Sequence, residues 1–578
     1  MSPSPPSSGF TSLESRGTAR ITRRSSMDSA RQWYYSRGRL GTFALAFAIL
    51  SGVATHSYHL FDYPLYETDE GIYLERAWAI LREFRLSPQT YVYDHAPGGW
   101  LLIASWVFLL PGHFEAFGNP VNSARVLMVI LHAGSTFFLF EIARKFSRDR
   151  LLAPTIACFF FNFSWLAVYY QRMALLDNIM VFWVLLSIYL LLREDVRLFT
   201  GLWSGLTFGI AMITKENAIF FGPAIFYLLV RRANNDTGDS SRDFTLFFWL
   251  FAAAAPVAAY SLYATLNGEL FPPDMSFNLT HTHISLLYEM WYQLHRNQAT
   301  LFNHHSSTPF LYTAWLPKDP FLLAAGTVAM VICLLAGWGR RKKDPALLVA
   351  GALAFGIAFY LARGSVILDF YVIPLIPMYA LCIALVADRA FSSFPETASR
   401  FLAPGVCALV AAFLLLPPGG YLIKHGSSGQ LQAADPYHVP LTFMQNEQIA
   451  WIREHVPPNS KIISDDDIWV ALHDVKPVFP YDESHWNAAT DPQVRKIFGG
   501  GQWQDINYIV VSNQMKNAMI LNNTGGQEQW MLNALDDHST PVWSITKGSV
   551  SLAIYKVQNL LGRPYDGQQA QRRSDGRG

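Results

Sequence analysis

Charge is scarce in this chain. Only 15% of its 578 residues are Asp, Glu, Lys or Arg, while 51% are hydrophobic and 15% aromatic. Soluble globular proteins carry about 25% charged residues, so the composition excludes an ordinary soluble domain and implies a polytopic α-helical membrane protein. Excess charge of either sign is also lacking, since 44 basic side chains stand against 43 acidic ones for a net charge of +1. Without a basic face or stripe there is no electrostatic footprint for nucleic acid. Cysteine is rare. The four present, Cys158, Cys333, Cys382 and Cys407, sit singly in apolar runs, which argues against a disulfide framework and a Cys-x-x-Cys metal site. No period of the kind that marks solenoid repeats is present.

What is there is a series of apolar runs separated by short polar turns. Residues 1–38 are rich in Ser, Pro and Arg, the composition of a disordered tail. Gly41 to Leu60 is long enough to span a bilayer, and Arg31, Arg37 and Arg39 ahead of it place the N-terminus in the cytoplasm. Residues 61–120 then form an external loop. Within it, Gly98 to Leu110 is short for a span. Leaving that run uncounted lets Val121–Phe140 deliver Arg144, Lys145, Arg148 and Arg150 to the cytoplasm, as the positive-inside rule prefers. Residues 71–83 and 98–110 are therefore expected as helices lying at the outer membrane surface.

The alternation continues through Leu151–Tyr169, Leu175–Leu192, Leu198–Thr214, Ala218–Val230 and Phe244–Leu266. It ends with Phe321–Trp338, Ala346–Leu361, Leu368–Val386 and Phe401–Leu416, which makes eleven spans in all. Residues 39–417 thus read as the membrane domain. Residues 421–558 follow outside, and their short runs KIISD, DIWVAL, YIVVS and SLAIYKV between turn signals predict a small extracytoplasmic α/β domain. The polar tail 563–578 is expected to be disordered.

This topology gathers charge on one face. Asp69 and Glu70 follow the first span, and Asp94 and His95 form a polar knot in YDHAPGGW. Arg172 and Asp177 occupy the turn before the fourth span, Lys215 and Glu216 the turn before the sixth, and Arg363 and Asp369 the turn before the tenth. Charged groups at membrane depth are costly and face a cavity or a partner, so the clustering predicts a polar pocket. Carboxylates can hold a divalent metal or act as a general base toward a hydroxyl or amine. Lys and Arg can neutralise a phosphate, Arg as a bidentate fork and Lys as a point charge. The plainer alternatives are that Asp177 pairs with Arg172, that Lys215 snorkels to the head groups, and that His95 is a loop residue, since no metal-binding histidine spacing surrounds it.

The acidic pair after the first span, the loop knot, the Arg172/Asp177 turn, the Thr214-Lys215 turn and the segment Arg363, Tyr371, Pro374 and Pro377 together resemble the C-type glycosyltransferases. Within them the chain is similar to the branch of the protein O-mannosyltransferases and aminoarabinose transferases. The resemblance spans roughly residues 40–390 and adds an external C-terminal domain. It implies a polyprenyl- or dolichyl-phosphate sugar donor, inverting transfer on the external face, and a protein, lipid or glycan acceptor. Carried over by position, Asp69 would activate the acceptor with Glu70 in support. Arg172, Lys215 and Arg363 would face the donor phosphate, and Asp177, Asp94 and His95 would shape the pocket or bind a divalent metal ion, the one cofactor implied. The aminoarabinose branch often has Lys and two prolines at the knot where this chain has His95-Ala96-Pro97-Gly98.

The expected protein is a multi-pass glycosyltransferase of a plasma membrane, or of the endoplasmic reticulum if the cell is eukaryotic. A lipid-linked sugar transporter or flippase would instead place ionisable or helix-breaking residues at mid-span in paired halves. A non-catalytic membrane scaffold would need no polar pocket at all.

Overall fold

Helices make up most of the architecture: α1 (Ser26–Ser57), α2 (Thr68–Glu83), α3 (Gly98–Leu109), α4 (Pro120–Phe146), α5 (Leu152–Phe163), α6 (Trp165–Tyr170), α7 (Leu176–Leu191) and α8 (Leu198–Thr214). They continue as α9 (Gly222–Asp236), α10 (Asp239–Leu266), α11 (Leu286–His295), α12 (Leu316–Lys318), α13 (Pro320–Arg340), α14 (Pro345–Ala362) and α15 (Leu375–Phe391). The computed structural model describes residues 26–149, 151–193, 198–236, 239–277, 284–295, 310–341, 344–362, 368–392 and 441–558. Residues 1–44 and 45–578 are two compact units, and every site element belongs to the second.

Among the described residues six helices are long and apolar enough to cross a membrane, Gly38–Ser57, Pro120–Phe146, Arg242–Leu266, Pro320–Arg340, Pro345–Ala362 and Asp369–Phe391. The runs expected as spans at Leu151, Leu175 and Leu198 form shorter apolar helices, as does Gly98–Leu109. Phe401–Leu416 lies outside the described residues. The expected Leu151–Tyr169 helix is broken into α5 and α6 at Ser164, whose ψ is 134°. Ser164 Oγ donates to Asp319 Oδ2 at 2.6 Å, so the break is held by a cross-chain partner that a hydropathy pattern does not show. The run from Leu368 begins as a 3₁₀ turn, Asp369–Val372, before α15. Pro374 and Pro377 delay the regular helix until Leu375, because proline is tolerated only in a helix's first turn.

Local chemistry sets the helix ends. Asn119 caps α4 by accepting from Val121 N, with Pro120 at the first helical position, and Arg144 and Lys145 lie in its last turn, where cations complement the helix dipole. Asp319 caps α13 in the same way through Leu322 N. Three glycines at four-residue spacing, Gly201, Gly205 and Gly209, let α8 lie on α10. A Cβ at Gly205 would stand 2.3 Å from the Trp249 carbonyl oxygen, so only a bare Cα permits that approach.

Toward the C-terminus lie helix α16 (Thr442–His455), strands β1 (Ile462–Ser464), β2 (Asp482–Ser484), β3 (Tyr508–Ser512), β4 (Ser539–Lys547) and β5 (Val550–Val557), and α17 (Asp466–Asp474) after β1. The sheet order is β2-β1-β3-β5-β4. β1 runs parallel to both neighbours, and β5 runs antiparallel to β3 and β4. α17 leaves the carboxyl end of β1 and packs on α2. Gly71 makes the approach possible, since a Cβ there would lie 2.2 Å from the main chain of Asp466. Thr68 donates to Asp465 at 3.0 Å, and Trp78 and Arg82 both donate to Asp474 at 2.9 and 2.8 Å. The apolar core of the helical region continues through this contact to Trp469 and Val470.

Candidate active site

The loop before α2 and the first turn of that helix set the geometry. Glu67 caps α2, and a capping box links it reciprocally to Glu70, which fixes the directions of the next side chains. Asp69 and Glu70 then diverge. Glu70 is 0% exposed and takes a bidentate ion pair from Arg125, Nε to Oε1 at 2.9 Å and Nη2 to Oε2 at 2.5 Å. It also accepts from the Ala174 amide at 2.6 Å. Arg125 donates on to the carbonyls of Pro64 and Leu65, each at 3.0 Å. The pair therefore binds α2, α4, the 60–65 loop and the 172–174 turn together.

Asp69 is half-buried and accepts from the Tyr73 hydroxyl at 3.2 Å. Among the described residues no cation forms an ion pair with it. Burial raises its carboxyl above the usual aspartate range, while Lys215 and His95 nearby pull it back down. A raised, unpaired carboxylate with a hydrogen-bonded neighbour suits a general base.

Asp177, at the start of α7, and Lys215, just past the end of α8, meet at 2.5 Å with both side chains almost fully buried. Lys215 Nζ also stands 4.1 Å from the ring centre of Tyr371. Asp177 thus pairs with Lys215, and Arg172 does something else. Arg172 is 0% exposed and donates Nε to Val168 O at 2.7 Å and its two Nη atoms to Tyr58 O and Thr55 O, both at 2.9 Å. Its guanidinium holds main chain at the end of α1.

The knot residues have partners of their own. Asp94 accepts from Arg76 at 2.8 Å, and although burial works to raise its carboxyl, Arg76 prevails and holds it below the usual range. His95 Nδ1 lies 3.1 Å from Glu216 Oε2. Burial alone would lower that imidazole, but Glu216 raises it overall. Asp94, His95 and Asp177 are matched to Arg76, Glu216 and Lys215 respectively. Among the described residues no group of three or more His, Cys, Asp and Glu is arranged to hold a metal ion, so these three do not fit a divalent site. Arg363 lies outside the described residues.

Three residues absent from the sequence-based set join it. Lys318, in α12, stands 4.5 Å from the Tyr169 ring centre; burial lowers its ammonium while Asp369 acts to raise it. Tyr170 donates to Asp369 Oδ2 at 2.9 Å. Glu67, the cap residue, has its carboxyl raised well above its usual range by burial and then by Asp369 and Asp69, which brings Glu67, Asp69, Asp369 and Lys318 into one electrostatic neighbourhood. The signal for Lys318 was present in sequence as the Lys-Asp-Pro that opens a span. Only the fold shows which ring it covers.

Residues 101–260 match the family of dolichyl-phosphate-mannose-protein mannosyltransferases. No curated protein sequence matches the chain. Among solved structures, ArnT from Cupriavidus metallidurans bound to undecaprenyl phosphate is 13% identical, with a TM-score of 0.52 over 89% of this chain and 97% of its own. The apo oligosaccharyltransferase of Archaeoglobus fulgidus is 12% identical, with a TM-score of 0.51 over 83% of this chain and 71% of its own. The same enzyme tethered to an acceptor peptide is 11% identical, with a TM-score of 0.50 over 89% and 74%. The resemblance carried by the sequence motifs is borne out: the chain has the fold of the C-type glycosyltransferases, carries the protein-mannosyltransferase pattern over residues 101–260, and these findings support a membrane glycosyltransferase.

Proposed function

We propose that this protein transfers a sugar from a polyprenyl- or dolichyl-phosphate donor to a hydroxyl- or amine-bearing acceptor on the external face, with inversion at the anomeric carbon. The observation that carries the proposal is the separation of the adjacent carboxylates: Glu70 is consumed by Arg125, whereas Asp69 is half-buried, raised and hydrogen-bonded to Tyr73. Asp69 takes the acceptor's proton as the acceptor oxygen or nitrogen forms its bond to the anomeric carbon. The bond from that carbon to the phosphate oxygen breaks, and the lipid phosphate leaves with the electron pair.

Lys215, aligned by Asp177, and Lys318 meet the charge that grows on the departing phosphate. Arg363 is assigned to the same phosphate from its place in the sequence alone. Glu70 acts as a positioning residue and Arg172 as a main-chain anchor. Asp94 and His95 shape the pocket wall through Arg76 and Glu216. The undecaprenyl phosphate held by the Cupriavidus structure supports a lipid-phosphate donor here, and the acceptor peptide of the archaeal structure supports a separate acceptor. The family match to protein mannosyltransferases makes mannose the first sugar to try.

The test is transfer of label from a panel of radiolabelled polyprenyl-phosphate sugars in membranes holding wild type or Asp69→Asn, with and without chelator. One donor is consumed by the wild type, and Asp69→Asn slows transfer by about 10²–10⁴-fold, the usual worth of a general base. The chelator arm settles the metal: transfer abolished by chelator and restored by a divalent cation assigns one to the reaction, and transfer that persists removes it. A folded Asp69→Asn protein that transfers at the wild-type rate overturns the assignment.

A further inference from the structure

The ends of the helices remote from Asp69 line an open cavity of about 1120 Å³. Lys145 and Arg148 enter it from the end of α4 and the turn beyond, Arg231 and Arg232 from α9, and Arg340 and Arg341 from the end of α13. Arg389 of α15 is the seventh cation on its wall. Among the described lining residues the acidic one is Asp344, and Arg389 already binds it at 3.0 Å. Between the cations the wall is apolar, with Phe146, Leu192, Leu228 and Val349.

This cavity is not the donor site. α4 carries Arg125, bound to Glu70, near its start and Lys145 near its end, and its 27 residues extend about 40 Å at 1.5 Å per residue. α13 repeats the arrangement, with Asp319 at its first turn and Arg340 at its last. The two sites lie at opposite ends of the same helices.

Helix C-termini attract a cation or two each, and basic turns mark the inner face of many membrane proteins. Neither effect by itself brings cations from four separate elements onto one concavity, a geometry that suits a multiply charged anion. From this convergence we infer that the cavity is a binding site for a phosphate-bearing anion, and that the anion is the head of an anionic phospholipid in the leaflet away from Asp69. The mixed lining favours the lipid: guanidinium forks match phosphate oxygens, and the apolar strips between them accept the glycerol and upper acyl carbons. Basic pockets between membrane helices hold anionic head groups in this manner.

The experiment titrates phosphatidylglycerol, phosphatidylcholine and inorganic phosphate onto the delipidated full-length protein and counts bound lipid by native mass spectrometry. Wild type and Asp69→Asn bind phosphatidylglycerol at least tenfold more tightly than phosphatidylcholine, and added salt weakens the binding. Arg148→Gln combined with Arg340→Gln loses at least fivefold in phosphatidylglycerol affinity. Lysine at both positions restores most of it, which separates lost charge from lost fold. Displacement of the lipid by inorganic phosphate at equal concentration would establish the phosphate site but overturn its lipid source. Equal affinity for the two lipids, or an unchanged double variant, overturns the proposal. Asp69→Asn serves as a control that fails independently, because it tests the transfer reaction and not this cavity.

Discussion

Asp69 and Glu70 are neighbours in sequence with opposite environments. Glu70 sits against a guanidinium with both side chains fully buried, and removing either member of such a pair costs about 3–5 kcal/mol because the other is left charged in an apolar site. Asp69 has a hydroxyl and a half-open side, and burial lifts its carboxyl above the usual range. A general base works only when ionised. Transfer should therefore fall as pH drops through the raised Asp69 value, at a higher pH than an ordinary aspartate would give. The pH profile of label transfer checks this, and an acid limb that begins near pH 4, the ordinary aspartate value, would remove Asp69 from the role. The sequence showed both carboxylates and the cost of charge near a membrane. It did not show which acid was spoken for, because Arg125 is 55 positions from Glu70 and lies inside an apolar run whose periodicity says nothing about partners.

At the scale of elements, α2 is the hinge of the design, with its first turn in the site and one face against α17. Gly71 is where the two helices touch. Gly71→Val places a branched side chain where even a Cβ meets main chain at 2.2 Å, so it should push α17 away and lower transfer while leaving the remote basic cavity able to bind phosphatidylglycerol. A lower melting temperature together with slower transfer reports the separation, and an unchanged melt with full activity would refute it.

The same junction holds Glu75 and Asp466, both buried. Asp466 is raised to about 6 by burial and then by Asp465. Sign follows from linkage: a carboxyl raised in the folded state holds its proton there more tightly than in the unfolded chain, so the folded state gains stability as pH falls from neutrality toward about 5. Asp466→Asn should make that slope shallower in thermal melts, while Glu75, Asp467, Asp482 and Glu483, raised by the same burial, keep part of it; a slope as steep as in wild type would show that Asp466 takes no part. The acidic run Asp465-Asp466-Asp467 is plain in the sequence, but its contact with Glu75 is not, since a long stretch of chain separates the two.

On the scale of the whole molecule, the site residues share one end of the helices and the basic residues the other. Asn119, Asp177, Lys215 and Asp319 sit at helix termini on the site side, and Lys145, Arg232, Arg340 and Arg389 at termini on the far side. Single cysteines placed at Gln89 and Arg340 in a background with the four native cysteines replaced should therefore label from opposite sides of sealed vesicles. The same arrangement predicts that an impermeant reagent reaches Gln89 from the side where transferred product accumulates. Labelling of both positions from one side would refute the arrangement of the bundle.

The sequence by itself determined the class of protein, because apolar runs of spanning length are unstable anywhere but a bilayer and scarce charge must be gathered where it has a use. It also placed the first-loop acids, the Lys215 turn and the presence of a C-terminal sheet, since hydropathy, helix caps and turn residues are local signals. The tertiary structure alone decided how those charges are partnered: Glu70 with Arg125, Asp177 with Lys215, Arg172 with main-chain carbonyls, and Lys318 with the site. Ion pairs and hydrogen bonds form between side chains within about 3 Å of one another, and a one-dimensional pattern carries no measure of that distance.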